Sequence, residues 1–218
     1  MPISDYLSEL TAPLTTVLCH VGQDEVTWAE LLGFATGAAG VWLTVRARIW
    51  NFPVGIANNL FFLVLFAGAR LYADAALQLV FLALGAHGWW QWLRGRPDGA
   101  AGPAFRRAGA GTVLTLAALL APATWGLTVL LTRAGDSAPF WDALTTALSL
   151  AAQWLLNTRR IETWYFWIAA DLVYVPLYLS RSLDLTALVY LLFLAMCGLG
   201  LRAWHRDLAA PRLPVVPA

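Results

Sequence analysis

One carboxylate shares a helical face with four aromatic rings between residues 160 and 180. Trp164, Trp167, Asp171, Tyr174 and Tyr178 are separated by steps of 3, 4, 3 and 4, the spacing that lines side chains along one side of an α-helix. Rings supply stacking area, and a cation over an indole gains roughly 0.5–2 kcal/mol. A carboxylate among them matches the positive charge. The pattern therefore suits a flat, cationic ligand. Further polar groups fall at similar depths in other apolar stretches: Asn58 and Asn59, Gln78, and Gln153. Polar side chains at the middle of an apolar span are costly, so each is a candidate for function. Each also has a plainer reading. Asp171 could be a helix–helix hydrogen-bonding partner, and an asparagine could serve as packing glue worth about 1 kcal/mol. Adjacent residues point about 100° apart, so one of Asn58 and Asn59 faces the others and one does not.

The elements that must carry these residues are membrane spans. Of the 218 residues, 60% are hydrophobic and only 12% charged, with a mean hydropathy of +0.64. A water-soluble chain of this composition would expose an untenable apolar surface. The sequence predicts seven spans, over residues 28–45, 50–68, 71–92, 108–132, 142–157, 161–180 and 185–204. Leu7, Leu10, Leu14, Val17 and Leu18 recur at helical spacing, which predicts a short interfacial helix within residues 1–27. That stretch has no basic n-region, so no removable leader is expected. With the N-terminus outside, eleven of the fourteen basic residues, all arginine, fall on the inner side. The positive-inside rule thus favours an N-out, C-in arrangement. Residues 207–218 are left as a cytoplasmic tail.

Other chemistries find no support. A net charge of +1 gives no bulk attraction to nucleic acid. Two isolated cysteines, Cys19 and Cys197, form neither a disulfide framework nor a metal site. His20, His87 and His205 are scattered, without an HExxH or paired catalytic carboxylates. Neither an enzyme nor a resident cofactor is expected. Trp50, Trp89, Trp90, Trp92 and Trp204 sit near span ends and read as interfacial anchors, and Gly33, Gly37 and Gly40 as a face for close helix packing.

The chain also repeats itself. Shifted by 112 residues, positions 28–94 lie over 140–206 without a gap and with 20 identities in 67 positions, among them Trp42/Trp154, Arg48/Arg160, Gly88/Gly200 and Trp92/Trp204. Two three-helix units, 28–94 and 140–206, flank the helix at 108–132. One intervening helix makes the units parallel. The expected fold is all-α, a seven-span 3+1+3 parallel repeat resembling the plan of the SWEET sugar carriers, with a substrate site between the halves.

Particular motifs are similar to those of a known family. W50-N-F-P-V-G-I-A-N-N-L, L71-Y-A-D-A-A-L-Q, G88-W-W-Q-W, R160-I-E-T-W-Y-F-W-I-A-A-D and G200-L-R-A-W resemble the PnuC nicotinamide riboside transporters over residues 28–206. The resemblance implies a carrier in the bacterial inner membrane, a homotrimer that works by facilitated diffusion, with the substrate trapped by cytoplasmic phosphorylation. It implies that Trp167, Asp171 and Gln78 line the site, with Trp164, Asn59 and Tyr174 nearby. Other members of that family carry thiamine, riboflavin or deoxynucleosides. The stretch Leu71–Gln78 is more similar to the nicotinamide riboside branch than to the riboflavin branch.

Overall fold

A computed structural model describes residues 9–21, 24–68, 71–94 and 105–209. Among them are seven long helices: α1 (Trp28–Val45), α2 (Asn51–Gly68), α3 (Tyr72–Leu93), α4 (Ala110–Ala134), α5 (Pro139–Asn157), α6 (Thr163–Ser180) and α7 (Asp184–Ala209). The spans read from hydropathy match them closely. The largest differences are an earlier start of α5, where Pro139 occupies the first turn, and a later end of α7. Four helices, α1, α2, α4 and α7, are long and apolar enough to cross a bilayer. The other three carry Gln78, Gln153 and Asp171, and that polar content lowers their hydropathy. Exposed Leu114, Trp125, Leu130 and Leu188 suit a lipid surround, since a helix that is apolar on its outer face belongs in a membrane.

Before α1 the chain departs from expectation in part: residues 9–11, which include Leu10, are α-helical, but the helix does not continue to Leu18. Residues Ala12–Thr15 form one 3-10 turn, and Val17–Val21 pairs antiparallel with Asp24–Thr27 as a hairpin, β1 and β2. Val17 and Leu18 thus belong to a strand, not to an interfacial helix. Pro13 falls in the first turn of the 3-10 segment, and the β-branched residues that follow favour extended backbone. Leu7 lies outside the described residues. The hairpin delivers Thr27 as N-cap of α1. Its hydroxyl accepts from Glu30 N at 3.2 Å, while Glu30 Oε2 accepts from Thr27 N at 2.9 Å, a reciprocal capping box.

Helix packing follows a paired pattern. α2 packs on α1 and α3, and α6 packs on α5 and α7. Two further contacts cross between these groups, α1 on α7 and α3 on α5, and α4 packs on α5. At the crossings, Trp92 Nε1 donates to Leu156 O at 3.3 Å and Trp204 Nε1 donates to Thr44 O at 3.1 Å. Both donors and both acceptors are related by the same offset of 112 residues. Trp92 also meets Phe52 edge-on at 5.3 Å, as Trp204 meets Trp164 at 5.3 Å. Trp92 and Trp204 are 7% and 0% exposed. They are buried bolts, which corrects their reading as interfacial anchors. Their depth in an apolar cluster with Val45, Phe52, Phe105, Leu156, Ile161 and Trp164 comes from small neighbours, because Gly88 and Gly200 let rings approach the helix backbone. Trp50 and Trp90 remain exposed, as anchors must be.

The ends of α1 and α5 match as well. Arg48 N donates to Leu43 O and Ala47 N to Thr44 O; Arg160 N donates to Leu155 O and Arg159 N to Leu156 O, all at 2.8–2.9 Å. These are Schellman motifs, with Ala47 (φ 53°) and Arg159 (φ 56°) in the left-handed position where glycine is usual. Ala47→Gly is therefore expected to stabilise the protein by about 1 kcal/mol, seen as a raised thermal unfolding midpoint in detergent. Gly200→Ala has the opposite sign. A Cβ there would run into the Trp164 ring, so a loss of about 1–3 kcal/mol and a lowered midpoint are expected.

Candidate functional site

α6 supplies the core of the site. Trp164, Trp167, Asp171 and Tyr174 all line one cavity of ≈ 380 Å³, as their 3, 4, 3 spacing predicts. α2 contributes Asn51, Gly55, Asn58, Asn59 and Phe62, α3 contributes Gln78, and α5 contributes Gln153. Of the residues singled out in the sequence, Trp164, Trp167, Asp171, Tyr174, Asn58, Asn59, Gln78 and Gln153 reach this cavity, and Tyr178, the last of the α6 stripe, does not line it. Side chains from every long helix except α4 enclose it. Its volume is within the range of about 300–1,000 Å³ usual for small-molecule sites.

Asp171 is 4% exposed. Cys197 Sγ approaches its Oδ2 at 3.6 Å, a weak donor. Among the described residues no arginine or histidine pairs with it. A carboxylate held away from water without a counter-ion is expensive, and a cation arriving in the cavity would relieve that cost. The walls suit a planar ring: Trp167 lies one turn from Asp171 on α6, and Phe62, Phe81 and Phe193 line the cavity from α2, α3 and α7. Tyr174, Tyr178 and Tyr190 form a stack beside it, with centroids 4.5 Å apart for Tyr174–Tyr190 and 5.1 Å for Tyr178–Tyr190.

The two asparagines separate in role. Asn58 Nδ2 reaches Thr36 Oγ1 at 2.5 Å and Gly33 O at 3.2 Å, tying α2 to α1. Asn59 makes no side-chain hydrogen bond among the described residues, and neither does Gln78. Those two amides keep their capacity for a ligand. Gln153 donates from Nε2 to Asn157 Oδ1 at 3.1 Å. Trp164 is 1% exposed and its Nε1 finds no partner among the described residues. Gly33 admits the Phe62 ring against α1, so its small size serves packing, as read. Gly37 and Gly40 also border the cavity.

Three lining residues of α7 escaped sequence reasoning, and so did Asn157 beside Gln153. Tyr190, Phe193 and Cys197 step by 3 and 4 along α7, the same signal that exposed the α6 face. It was obscured because none of the three is polar enough to stand out in an apolar run. Asn157 stands one turn after Gln153 but at the predicted span end, where an amide attracts no notice.

Comparison with known proteins places the chain. The sequence model of a family described as nicotinamide mononucleotide transporter matches residues 27–206. The nicotinamide riboside transporter PnuC of Escherichia coli (strain K12) is 25% identical, the alignment covering 86% of this chain and 91% of that protein. The riboflavin/roseoflavin transporter RibM of Streptomyces davaonensis is 29% identical over 88% of this chain and 93% of its own. A crystal structure of the vitamin B3 transporter PnuC shares the fold, with a TM-score of 0.68 at 19% identity, covering 84% of this chain and 82% of the other. The family match extends from the start of α1 almost to the end of α7, and the chain belongs to the nicotinamide mononucleotide transporter family of membrane transporters.

Proposed function

We propose that this protein carries nicotinamide riboside across the bacterial inner membrane by facilitated diffusion, using the cavity around Asp171, with phosphorylation in the cytoplasm trapping the product of uptake. The observation that carries the reading is a buried carboxylate without a cation of its own, set beside Trp167. A pyridinium ring brings the missing charge and a flat face. Asn59 and Gln78 offer unpaired amides to ribose hydroxyls.

The same reading includes the architecture. Residues 28–94 and 140–206 are parallel three-helix units related by a twofold axis along the membrane normal, with the helix between them as connector. The reciprocal Trp92–Leu156 and Trp204–Thr44 bonds and the matched α1–α7 and α3–α5 contacts support it. The arginine distribution supports an outer N-terminus and an inner C-terminus. Rocking of the two units about the cavity would expose it to each side in turn, and family resemblance supports a homotrimer of independently working protomers.

A second reading has its own support. Identity to RibM is slightly higher than to PnuC, and riboflavin is flat but uncharged. Thiamine is a third candidate, cationic like nicotinamide riboside. Titration of the purified protein in lipid nanodiscs with all three vitamins separates them, and nicotinamide riboside is expected to bind tightest. Asp171→Asn should weaken it at least tenfold, or about 1.4 kcal/mol, and Trp167→Ala comparably. Riboflavin binding tightest, with Asp171→Asn indifferent, would overturn the cationic-ligand reading.

The asparagines give a cleaner internal contrast. Asn59→Ala should weaken nicotinamide riboside about three- to tenfold while leaving the unfolding midpoint alone. Asn58→Ala should lower the midpoint, because it frees α2 from α1. In vesicles preloaded with unlabelled nicotinamide riboside, labelled substrate should enter by counterflow without ATP or an ion gradient. A strict requirement for either would refute facilitated diffusion.

A further inference from the structure

The amide pair on α5 has a partner outside the cavity. Asn157 is 2% exposed, and its Nδ2 donates to Leu84 O on α3 at 2.7 Å. A backbone carbonyl can only accept, so the orientation of the Asn157 amide is forced. Its Oδ1 must face the other way, where it accepts from Gln153 Nε2 at 3.1 Å. The polarity of that second bond is then forced in turn. Gln153 lines the cavity with one N–H already committed, which leaves its Oε1 and one N–H. Gly88 makes the arrangement possible: a Cβ there would strike Asn157 Oδ1.

Internal repetition supplies a control. At the offset of 112 residues, Gln153 and Asn157 correspond to Val41 and Val45. Val41 borders the same cavity, and Val45 is 6% exposed. The α1–α7 contact therefore packs with valines where the α3–α5 contact spends two amides. Packing does not require them, and two amides, one half-buried and one buried, stand on one side only.

Resting on the carrier reading above, we infer that Asn157 is a positioning residue. It holds Gln153 with its side-chain carbonyl available to accept from an N–H or O–H donor on the substrate, either a carboxamide or a ribose hydroxyl. Gln153 is the specificity-determining contact and Asn157 acts through it. An uncommitted glutamine can rotate its amide to suit a donor or an acceptor, whereas a committed one discriminates between them.

The test is a double-mutant cycle on the full-length protein in nanodiscs, titrated with nicotinamide riboside. The repeat itself dictates the substitutions, Gln153→Val and Asn157→Val. Gln153→Val is expected to weaken binding about five- to tenfold, the scale of one lost hydrogen bond. Asn157→Val should weaken it less or equally, and should add nothing in the Gln153→Val background. A purely structural Asn157 would instead weaken binding by the same factor in both backgrounds, and that result overturns the inference. So does a Gln153→Val protein that binds like wild type. If Asn157→Val does not fold, Asn157→Ala takes its place in the cycle, and the Gln153→Val arm decides independently of both. Competition by 1-methylnicotinamide, which keeps the carboxamide but lacks the ribose, assigns the donor. The Gln153→Val loss persists if the carboxamide donates and vanishes if a ribose hydroxyl does. Failure of the carrier reading looks different: wild-type protein that ignores nicotinamide riboside, or an unimpaired Asp171→Asn, removes the foundation and this inference with it.

Discussion

Inside a bilayer, a polar group must find its partner within the protein or in what the protein binds. Asp171 is where that constraint bears hardest. Its immediate company is a thiol, aromatic rings and apolar helix surface, none of which balances a full charge. Elsewhere many polar groups are settled internally: Asn58 on α1, Asn157 on the α3 backbone, and Thr44 and Thr145 on carbonyls of their own helices. Against that background, Asp171, which has only a weak thiol donor, and Asn59 and Gln78, which make no side-chain hydrogen bond among the described residues, gather at one cavity. Trp164 Nε1, also without a partner among the described residues, borders the same space, so the polar capacity left over in these helices is concentrated there.

Comparing the two matching stretches residue by residue separates scaffold from chemistry. Where function is mechanical the positions agree. Trp92 and Trp204 bridge to backbone carbonyls, Gly88 and Gly200 admit rings, and Ala47 and Arg159 turn the chain in the same left-handed conformation. Around the cavity the positions diverge: Asn59 against Asp171, Gly55 against Trp167, Gln78 against Tyr190, Val41 against Gln153. Matched packing contacts thus surround a cavity whose lining is unlike on its two sides. One stretch brings the charge, the indoles and the Gln153 amide, and the other brings the amides of Asn58, Asn59 and Gln78 and the space at Gly55.

Much of this was legible in the linear sequence because membrane helices obey two strong rules, apolar length and a period of 3.6. The α6 stripe is readable since a carboxylate stands in an apolar run with indoles one and two turns away. Tyr190, Phe193 and Cys197 obey the same period but do not contrast with their neighbours. Trp92 and Trp204 misled for a related reason. A tryptophan at a span end is usually an anchor in the headgroup layer, and here partner carbonyls across the chain, with Phe52 and Trp164 seated against Gly88 and Gly200, hold it inward. Those partners are distant in sequence, Leu156 for Trp92 and Thr44 for Trp204, and no local pattern reports them. The hairpin before α1 was missed because Leu and Val at helical intervals are also acceptable strand residues when β-branched neighbours and a proline intervene.

The scale of the bridging bonds bears on how such a molecule could move. Three interactions pin α1 to α7 and α3 to α5 at one end of the cavity: the two indole bonds, and Arg159 Nη2 reaching Gln91 O at 3.3 Å and Trp92 O at 3.2 Å. Each is worth about 1 kcal/mol net, so parting the halves there costs a few kcal/mol before any new contacts form. A gap of that size leaves a minor state populated and exchangeable. It is also small enough that a ligand need favour neither state strongly to pass through both, and a ligand that did favour one strongly would be bound rather than carried. Weak bridges between the helix groups and a buried carboxylate without a counter-ion among the described residues are therefore compatible features of one fold: the first keeps the cost of parting low, and the second sets the strongest electrostatic demand inside it.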